Sequence, residues 1–292
     1  MNVERVLLVV HPSRPMALEM AAACARGLTE RGIAVTTLHE APQGLDVSRA
    51  HETAPIDLVV VFGGDGSILR GSDIAHAHDV PLLGVNLGHV GFLAELDEEE
   101  AEEVVHHIAS GDFIIQERMT LDVNVIRRGE IVASSWALNE ASIEKAARER
   151  MIQVIAEVDG HPLSAWGCDG VLFATPTGST GYAWSAGGPV VWPTVDAMLL
   201  VPISAHALFA RPMVVSGTTG LALEVLPDSP PAVLWCDGQR LIPLESGDRV
   251  EVVRGSRPVR LARLRDSLFV DRLVKKFQLP VQGWSGRGKE LP

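Results

Sequence analysis

The spacing of apolar positions changes part-way along this chain, and the change divides it. "RVLLVV" (5–10) is a continuous apolar run, the pattern of a strand buried on both faces of a parallel sheet. "IAVTTL" (33–38), "IDLVVVF" (56–62) and "PLLGVNL" (81–87) supply three more strands. Between the first two, Met16, Leu18, Ala21, Ala22, Ala25 and Leu28 recur at helical spacing, and Gly32 closes the helix. Asp97 opens another helix whose first turns hold Glu98, Glu99, Glu100, Glu102 and Glu103 and whose end holds His106, His107 and Gly111. Acid at the start and imidazole at the end complement the helix dipole, so the acidic run reads as a solvated helix face. Strands alternating with helices predict a doubly wound α/β domain over residues 1–117.

Beyond it the period becomes two. "LDVNVI" (121–126) and "IQVIAEV" (152–158) alternate, and Arg128-Gly129 and Asp159-Gly160 mark hairpin turns. "GVLFAT", "MVVSG", "LALEVL", "AVLWCDG", "RVEVV" and "VRLARL" are further short strands separated by Gly, Pro, Asp and Ser. An all-β, sandwich-like domain is expected over 118–265. Helical spacing then returns: Asp266 and Ser267 offer a cap, and Leu268, Phe269, Leu273, Val274 and Phe277 form a stripe before Pro280. This last segment, 266–292, is expected to pack back on the first domain, with a frayed glycine-rich end.

Composition narrows the function. A chain of 292 residues, 47% hydrophobic, has material for two cores. Its 25 basic and 37 acidic residues leave a net charge of −12, which argues against a nucleic-acid or anionic-membrane partner. Cys24, Cys168 and Cys236 are isolated, as expected of buried thiols in a reducing compartment. The N-terminus enters a strand pattern without a signal peptide, and no uncharged apolar run approaches the roughly 18 residues that span a bilayer. A cytoplasmic location is expected.

The chemistry gathers in five motifs. "GGDGSILR" (63–70) follows a strand and starts a helix, the place where open α/β sheets bind ligands. It lacks the lysine of a P-loop and the spacing of a dinucleotide turn. Asp65 stands where a phosphate cradle would exclude a carboxylate. It either caps the helix or orients and deprotonates an attacking hydroxyl beside phosphates. "NLGHVGFL" (86–93) has the glycines of a loop close to a ligand, and Phe92 suits either a heterocycle or the core. Asn139-Glu140 offers an amide that reads an adenine edge and a carboxylate that accepts from hydroxyls; the alternative is a solvated turn. Lys145, Arg148 and Arg150 make a small basic knot. "CDGVLFATPTGSTGY" (168–182) concentrates the hydroxyls of Thr177, Ser179 and Thr180 with Gly178, Gly181 and the lone Tyr182, which points to ligand binding. A second Asp-Gly pair, in "CDGQ" (236–239), reads as a plain hairpin, and His206 in "HALFARP" as a satisfied core or turn histidine.

In their order and spacing these motifs resemble the bacterial NAD kinase family, from the first strand to "RLVKKFQLPV". The GGDG turn alone is shared with lipid kinases and phosphofructokinases; GGDG followed by Asn-Glu and T-P-T-G-S-T-x-Y is far more specific. The resemblance implies an α/β domain followed by a β-rich one. It also implies transfer of the γ-phosphoryl group of ATP, or of polyphosphate, to the 2′-hydroxyl of the adenosine ribose of NAD, making NADP. Asp65 would accept or orient the hydroxyl proton. As a carboxylate with an ordinary pKa of about 3.9 is a weak base, much of its effect would be orientation, with Mg²⁺ and backbone N–H groups neutralising charge. Gly64 and Gly66 would let the backbone meet the donor phosphates, and Arg70 would contact them.

By the same resemblance Asn139 and Glu140 hold the adenosine, with Thr177, Thr180, Gly181, Tyr182, Ala183 and Ser185 around the same nucleotide. Phe92, Arg150, Asp169, His206 and Gln239 contact NAD or line its site. Mg²⁺ would ride on the nucleotide phosphates without dedicated protein ligands, and subunits would associate as a homodimer or homotetramer. Gly181 departs from the family's usual Ala. A lipid kinase would need an apolar acceptor groove, and a non-catalytic NAD sensor would not need Asp65.

Overall fold

A computed structural model describes residues 1–37, 48–49, 54–85, 91–93, 101–148, 150–264 and 268–281. The chain divides into two compact units, Met1–Glu117 with Arg260–Pro292, and Arg118–Val259.

The first unit is built on β1 (Arg5–Val10), β2 (Ala34–Thr37), β3 (Ser48–Arg49), β4 (Leu58–Phe62), β5 (Leu82–Val85) and β6 (Ile114–Arg118), with α1 (Pro15–Glu30), α2 (Asp65–His78) and α3 (Ala101–Ser110) between them. Its sheet has seven strands, and one of them comes from far along the chain. The order is β3-β2-β1-β4-β5-β19-β6, where β19 is Val259–Arg263. The sequence reading had drawn "VRLARL" into the β-rich domain, whereas Leu261 pairs in parallel with Leu82 of β5. Its apolar alternation fits either sheet, and only the pairing partner distinguishes them.

Helices cover both faces, as the continuous apolar runs required. Val6, Leu8, Leu58, Val60 and Phe62 face Ala17, Ala21, Cys24, Leu28, Val104 and Ile108 of α1 and α3 in one core. Helix α2 covers the opposite face so closely that a Cβ on Gly71 would overlap Val61. In α1 the buried stripe runs Ala17, Ala21, Cys24, Ala25, Leu28, so Met16 points to solvent. Gly32 does close the helix, at φ 80°. The predicted Asp97 start of α3, with Glu98, Glu99 and Glu100, and the Asp266-Ser267 cap lie outside the described residues. Helix α5 (Phe269–Phe277) packs on the first unit, its Phe269 and Phe277 rings against Phe92.

The second unit is two antiparallel sheets of six strands, ordered β11-β10-β15-β18-β7-β8 and β14-β13-β12-β9-β16-β17. The first sheet comprises β7 (Leu121–Arg127), β8 (Glu130–Ala137), β10 (Ile152–Val158), β11 (His161–Cys168), β15 (Leu221–Val225) and β18 (Arg249–Arg254). The second comprises β9 (Glu140–Lys145), β12 (Gly170–Ala174), β13 (Ala197–Ile203), β14 (Met213–Ser216), β16 (Ala232–Cys236) and β17 (Arg240–Leu244). Val123, Val154, Trp166, Leu223 and Val252 of one sheet share a core with Ile143, Phe173, Leu200 and Leu234 of the other. Strands β11, β13 and β17 are among those for which the sequence reading named no run. In β13 the unbroken run AMLLVPI, with its Pro202, lacks the alternation that marks a one-sided strand. It is buried throughout because Leu199 and Val201 pack outward under Ala183 and Val191.

Both predicted two-residue turns form. Arg128 and Gly129 have φ 53° and 86°, Asp159 and Gly160 φ 50° and 75°, the paired positive φ of a type I′ hairpin.

Candidate active site

In the first unit β4 delivers the chain to the carboxyl end of the sheet, where Gly63 and Gly64 turn it into α2. A Cβ on Gly63 would lie 2.5 Å from Ser67 Oγ, so the first turn of α2 can close down only on glycine. Around Gly66, by contrast, an added Cβ would meet no atom of the described residues within 4 Å.

Asp65 is the first residue of α2, yet it does not cap it: Gly64 is the N-cap and no side chain satisfies the helix. The carboxylate turns instead to the loop after β5. The N–H of Phe92 donates to Oδ2 and the N–H of Leu93 to Oδ1, each at 3.2 Å. Gly91 lies so close that a Cβ there would overlap Oδ1. The half-buried carboxylate is therefore held from one side in a fixed pose. Arg70, one turn along, donates to Ser67 Oγ at 3.4 Å and remains exposed. Sequence reading missed Arg14, whose Nη1 would lie 3.8 Å from a Cβ on Gly64; only the fold brings this cation to the turn. The Phe92 ring is engaged by α5, so its link to Asp65 is through its backbone. Residues 86–90 lie outside the described residues.

The second unit places Asn139 and Glu140 at the junction of β8 and β9, against the 175–182 segment. Thr175 donates from Oγ1 to Leu138 O at 2.6 Å and from its N–H to Asn139 O at 2.9 Å. Gly178 packs on the Asn139 backbone, where any Cβ would overlap. The Tyr182 N–H donates to the Glu140 carboxyl. At this junction two buried polar atoms have no partner among the described residues, Asn139 Oδ1 and Glu140 Oε2. Interior polar atoms are nearly always paired, so this couple is chemically able to take donors from a ligand. Burial pushes the Glu140 carboxyl up to about 8, with the nearby Asp237 charge adding to it and the Tyr182 N–H opposing it. Burial also raises the Tyr182 phenol, helped by the charges of Glu144, Glu140 and Asp169.

A Cβ on Gly181 would come 3.3 Å from both Glu140 Oε2 and Gly178 O. Its absence here leaves room beside the unpaired carboxyl oxygen.

What holds this junction is a residue that sequence reading dismissed as a hairpin. Asp237, 5% exposed, accepts N–H bonds from Leu138 (2.8 Å), Asn139 (2.7 Å) and Glu140 (3.3 Å). Arg240 Nη2 adds a fourth donor at 2.9 Å while stacking over Trp136. Burial pushes the Asp237 carboxyl up against these opposing donors, but all four partners are donors, and only the ionised form accepts them all.

Other predicted residues separate. Ser179, wholly buried, is spent on Pro176 O and the Val191 N–H. The Ala183 methyl is completely buried in a cluster with Leu172, Leu199 and Val201. Thr177 is buried, and Thr180 Oγ1 donates to its carbonyl at 3.3 Å. Ser185 is exposed and donates to Tyr182 O. Asp169 forms an ion pair with Lys145 at 2.5 Å. Gln239 sits in the β16–β17 turn. His206 is not a core residue. It is exposed, bridges Gly167, and lines a cavity of about 500 Å³ with Arg150, Met151, Gln153 and Asp228.

Two domain families match the chain in order, the ATP-NAD kinase N-terminal domain over residues 6–113 and the ATP-NAD kinase C-terminal domain over residues 138–264. The chain belongs to the NAD kinase family. It is 51% identical to NAD kinase 2 of Streptomyces coelicolor over 98% of both chains, and 48% identical to NAD kinase of Thermobifida fusca over 98% of this chain and 92% of that one. The family's two-domain fold recurs in solved structures. Yeast NADH kinase complexed with NADH superposes with a TM-score of 0.81 at 22% identity, covering 100% of this chain and 91% of that one. An NAD kinase from Archaeoglobus fulgidus in complex with ATP gives 0.72 at 25% identity, covering 94% and 98%. No described helix is long and apolar enough to cross a membrane.

Proposed function

We propose that this kinase transfers the γ-phosphoryl group of ATP, or the terminal phosphoryl of polyphosphate, to the 2′-hydroxyl of the adenosine ribose of NAD. The observation that carries the reading is the pose of Asp65. A carboxylate at the first position of a helix that declines to cap it, and is held instead by two loop N–H groups, is kept for another partner. As the bond from phosphorus to the leaving oxygen of ADP breaks, the ribose 2′-oxygen bonds to phosphorus and its proton passes to Asp65. Asp65 also aligns that oxygen, which accounts for most of its effect.

The N–H groups at the start of α2, the open face of Gly66, and the guanidinium groups of Arg14 and Arg70 receive the donor phosphates. Asn139 Oδ1 and Glu140 Oε2, both without a partner among the described residues, take the donors of the adenosine. Thr177, Thr180, Gly181, Tyr182 and Ser185 surround the nucleotide, and Arg150, Asp169, His206 and Gln239 serve the remainder of NAD. By the family resemblance we assign the Mg²⁺ to the nucleotide phosphates. When bound there it neutralises phosphate charge. Three free, buried cysteines support a reducing, cytoplasmic setting, and the exposed Leu208 and Phe209 support subunit association.

The test is NADP formation from NAD, ATP and Mg²⁺ by wild type and Asp65→Asn. Wild type is expected to make NADP, and the variant to bind NAD while losing at least about a hundredfold in kcat. A wild type that makes none overturns the kinase reading; an Asp65→Asn enzyme as fast as wild type overturns the role of Asp65. Polyphosphate run beside ATP identifies the donor.

A further inference from the structure

From Asp65 a chain of hydrogen bonds leads, one peptide group at a time, to the C-terminal helix. The carboxylate accepts from the N–H of Phe92 and of Leu93, both at 3.2 Å. The Leu93 N–H belongs to the same peptide unit as the Phe92 carbonyl, and that carbonyl accepts from Arg272 Nη1 at 3.1 Å. A guanidinium and a carboxylate thus occupy the two ends of one amide. A cation on the carbonyl oxygen polarises the amide and strengthens the bond its N–H makes, the cooperativity of chained hydrogen bonds at low dielectric. The next carbonyl, Leu93 O, accepts from the buried Arg263 of β19 at 3.3 Å. The Phe92 ring is seated between Phe269 and Phe277 of α5, with centroids 5.8 and 5.9 Å away. Gly91 leaves no room for a side chain on that flank, since an added Cβ would overlap Oδ1.

We propose that Arg272 is a positioning residue for phosphoryl transfer, setting the pose of the Asp65 carboxylate through the Phe92–Leu93 peptide. The inference rests on the catalytic reading of Asp65 given above. It assigns α5 a part in turnover, although α5 is some two hundred residues from the GGDG turn along the chain. Arg272 touches neither substrate in this account, so its loss acts on the chemical step alone.

Two conservative variants test it. Arg272→Gln keeps a donor without the charge, and Arg272→Lys keeps the charge; both are compatible with a helix. Arg272→Gln is expected to lower kcat about tenfold or more while KM for NAD and for ATP stays within about twofold, because displacement of a reacting group costs rate rather than binding. Arg272→Lys is expected to restore most of kcat, and both variants should melt with wild type. The proposal is overturned if Arg272→Gln turns over like wild type. It is also overturned if Gln and Lys fall together, or if kcat falls only in step with the melting temperature. Asp65→Asn, assayed alongside, separates the failures. Should Asp65→Asn keep full activity, the reading of Asp65 falls; should it lose activity while Arg272→Gln does not, only the role of Arg272 falls.

Discussion

Replacing Asp237 by Asn tests whether one buried carboxylate holds the Asn139-Glu140 junction. Its Oδ1 accepts from the Asn139 and Glu140 N–H groups, its Oδ2 from the Leu138 N–H and Arg240. An amide has one acceptor oxygen. Whichever way Asn turns, its NH₂ faces two donors and leaves them unsatisfied in the interior. A stranded buried donor costs about 1–3 kcal/mol, which puts the loss at about 2–6 kcal/mol. The better orientation keeps oxygen toward Arg240 and Leu138 and gives up the bonds to Asn139, at 2.7 Å, and to Glu140, the weakest at 3.3 Å, so the lower half of that range is expected. At about 2–4 °C per kcal/mol the melting temperature should drop by on the order of 10 °C. KM for NAD should rise as Asn139 and Glu140 lose their frame.

The internal control is the other Asp-Gly turn. Asp159 has nearly the same backbone, φ 50° against 53°, but accepts only the exposed Gly220 N–H at 2.8 Å. Asp159→Asn should cost less than about 1 kcal/mol. Thermal and urea unfolding of both variants reads the comparison. An Asp237→Asn protein that melts within about 2 °C of wild type, or no worse than Asp159→Asn, refutes the reasoning.

Two further predictions concern glycines and pH. Gly66→Ala and Gly71→Ala lie in the same helix, and both gain helix propensity of about 1 kcal/mol. Gly66→Ala should fold at least as well as wild type and lose affinity for ATP, because only a ligand occupies the space its methyl enters; unchanged KM for ATP would refute this. Gly71→Ala should instead lose about 1–3 kcal/mol of stability to overlap with Val61, seen as a lower urea midpoint, with any surviving enzyme normal in KM. The Glu140 carboxyl, raised by burial to about 8 from an ordinary 4.5, makes its favourable contribution below pH 4.5 and loses it as pH rises toward 8. Glu140→Gln should therefore gain stability relative to wild type between pH 5 and pH 8, measured by urea unfolding; a difference flat with pH would show that the carboxyl is not held in its neutral form.

Much of the fold was legible because its signals are local. Continuous apolar runs marked β1 and β4 as strands covered twice, and paired turn residues marked the hairpins at Arg128-Gly129 and Asp159-Gly160. β13 escaped because burial on both faces removes the alternation that would have revealed it. β19 was seen as a strand but placed in the wrong sheet, since pairing with β5 is a property of two segments far apart.

Of the candidate site, the sequence by itself determined the residue types and the order of GGDG, Asn-Glu and the hydroxyl-rich segment, because spacing within a turn is set by neighbouring residues. Tertiary structure alone decided which way the side chains face. It turned Asp65 from its own helix to the Phe92 and Leu93 amides, and buried the Ala183 methyl in a core. It also made one Asp-Gly turn a surface hairpin and the other the frame of the Asn139-Glu140 junction. Asp159 and Asp237 carry the same dipeptide and nearly the same φ, yet the backbone N–H groups that their side chains accept from lie 61 and 97 to 99 residues away. A backbone turn is encoded within a few residues, whereas the donors that surround a carboxylate are brought to it only by the packing of distant strands.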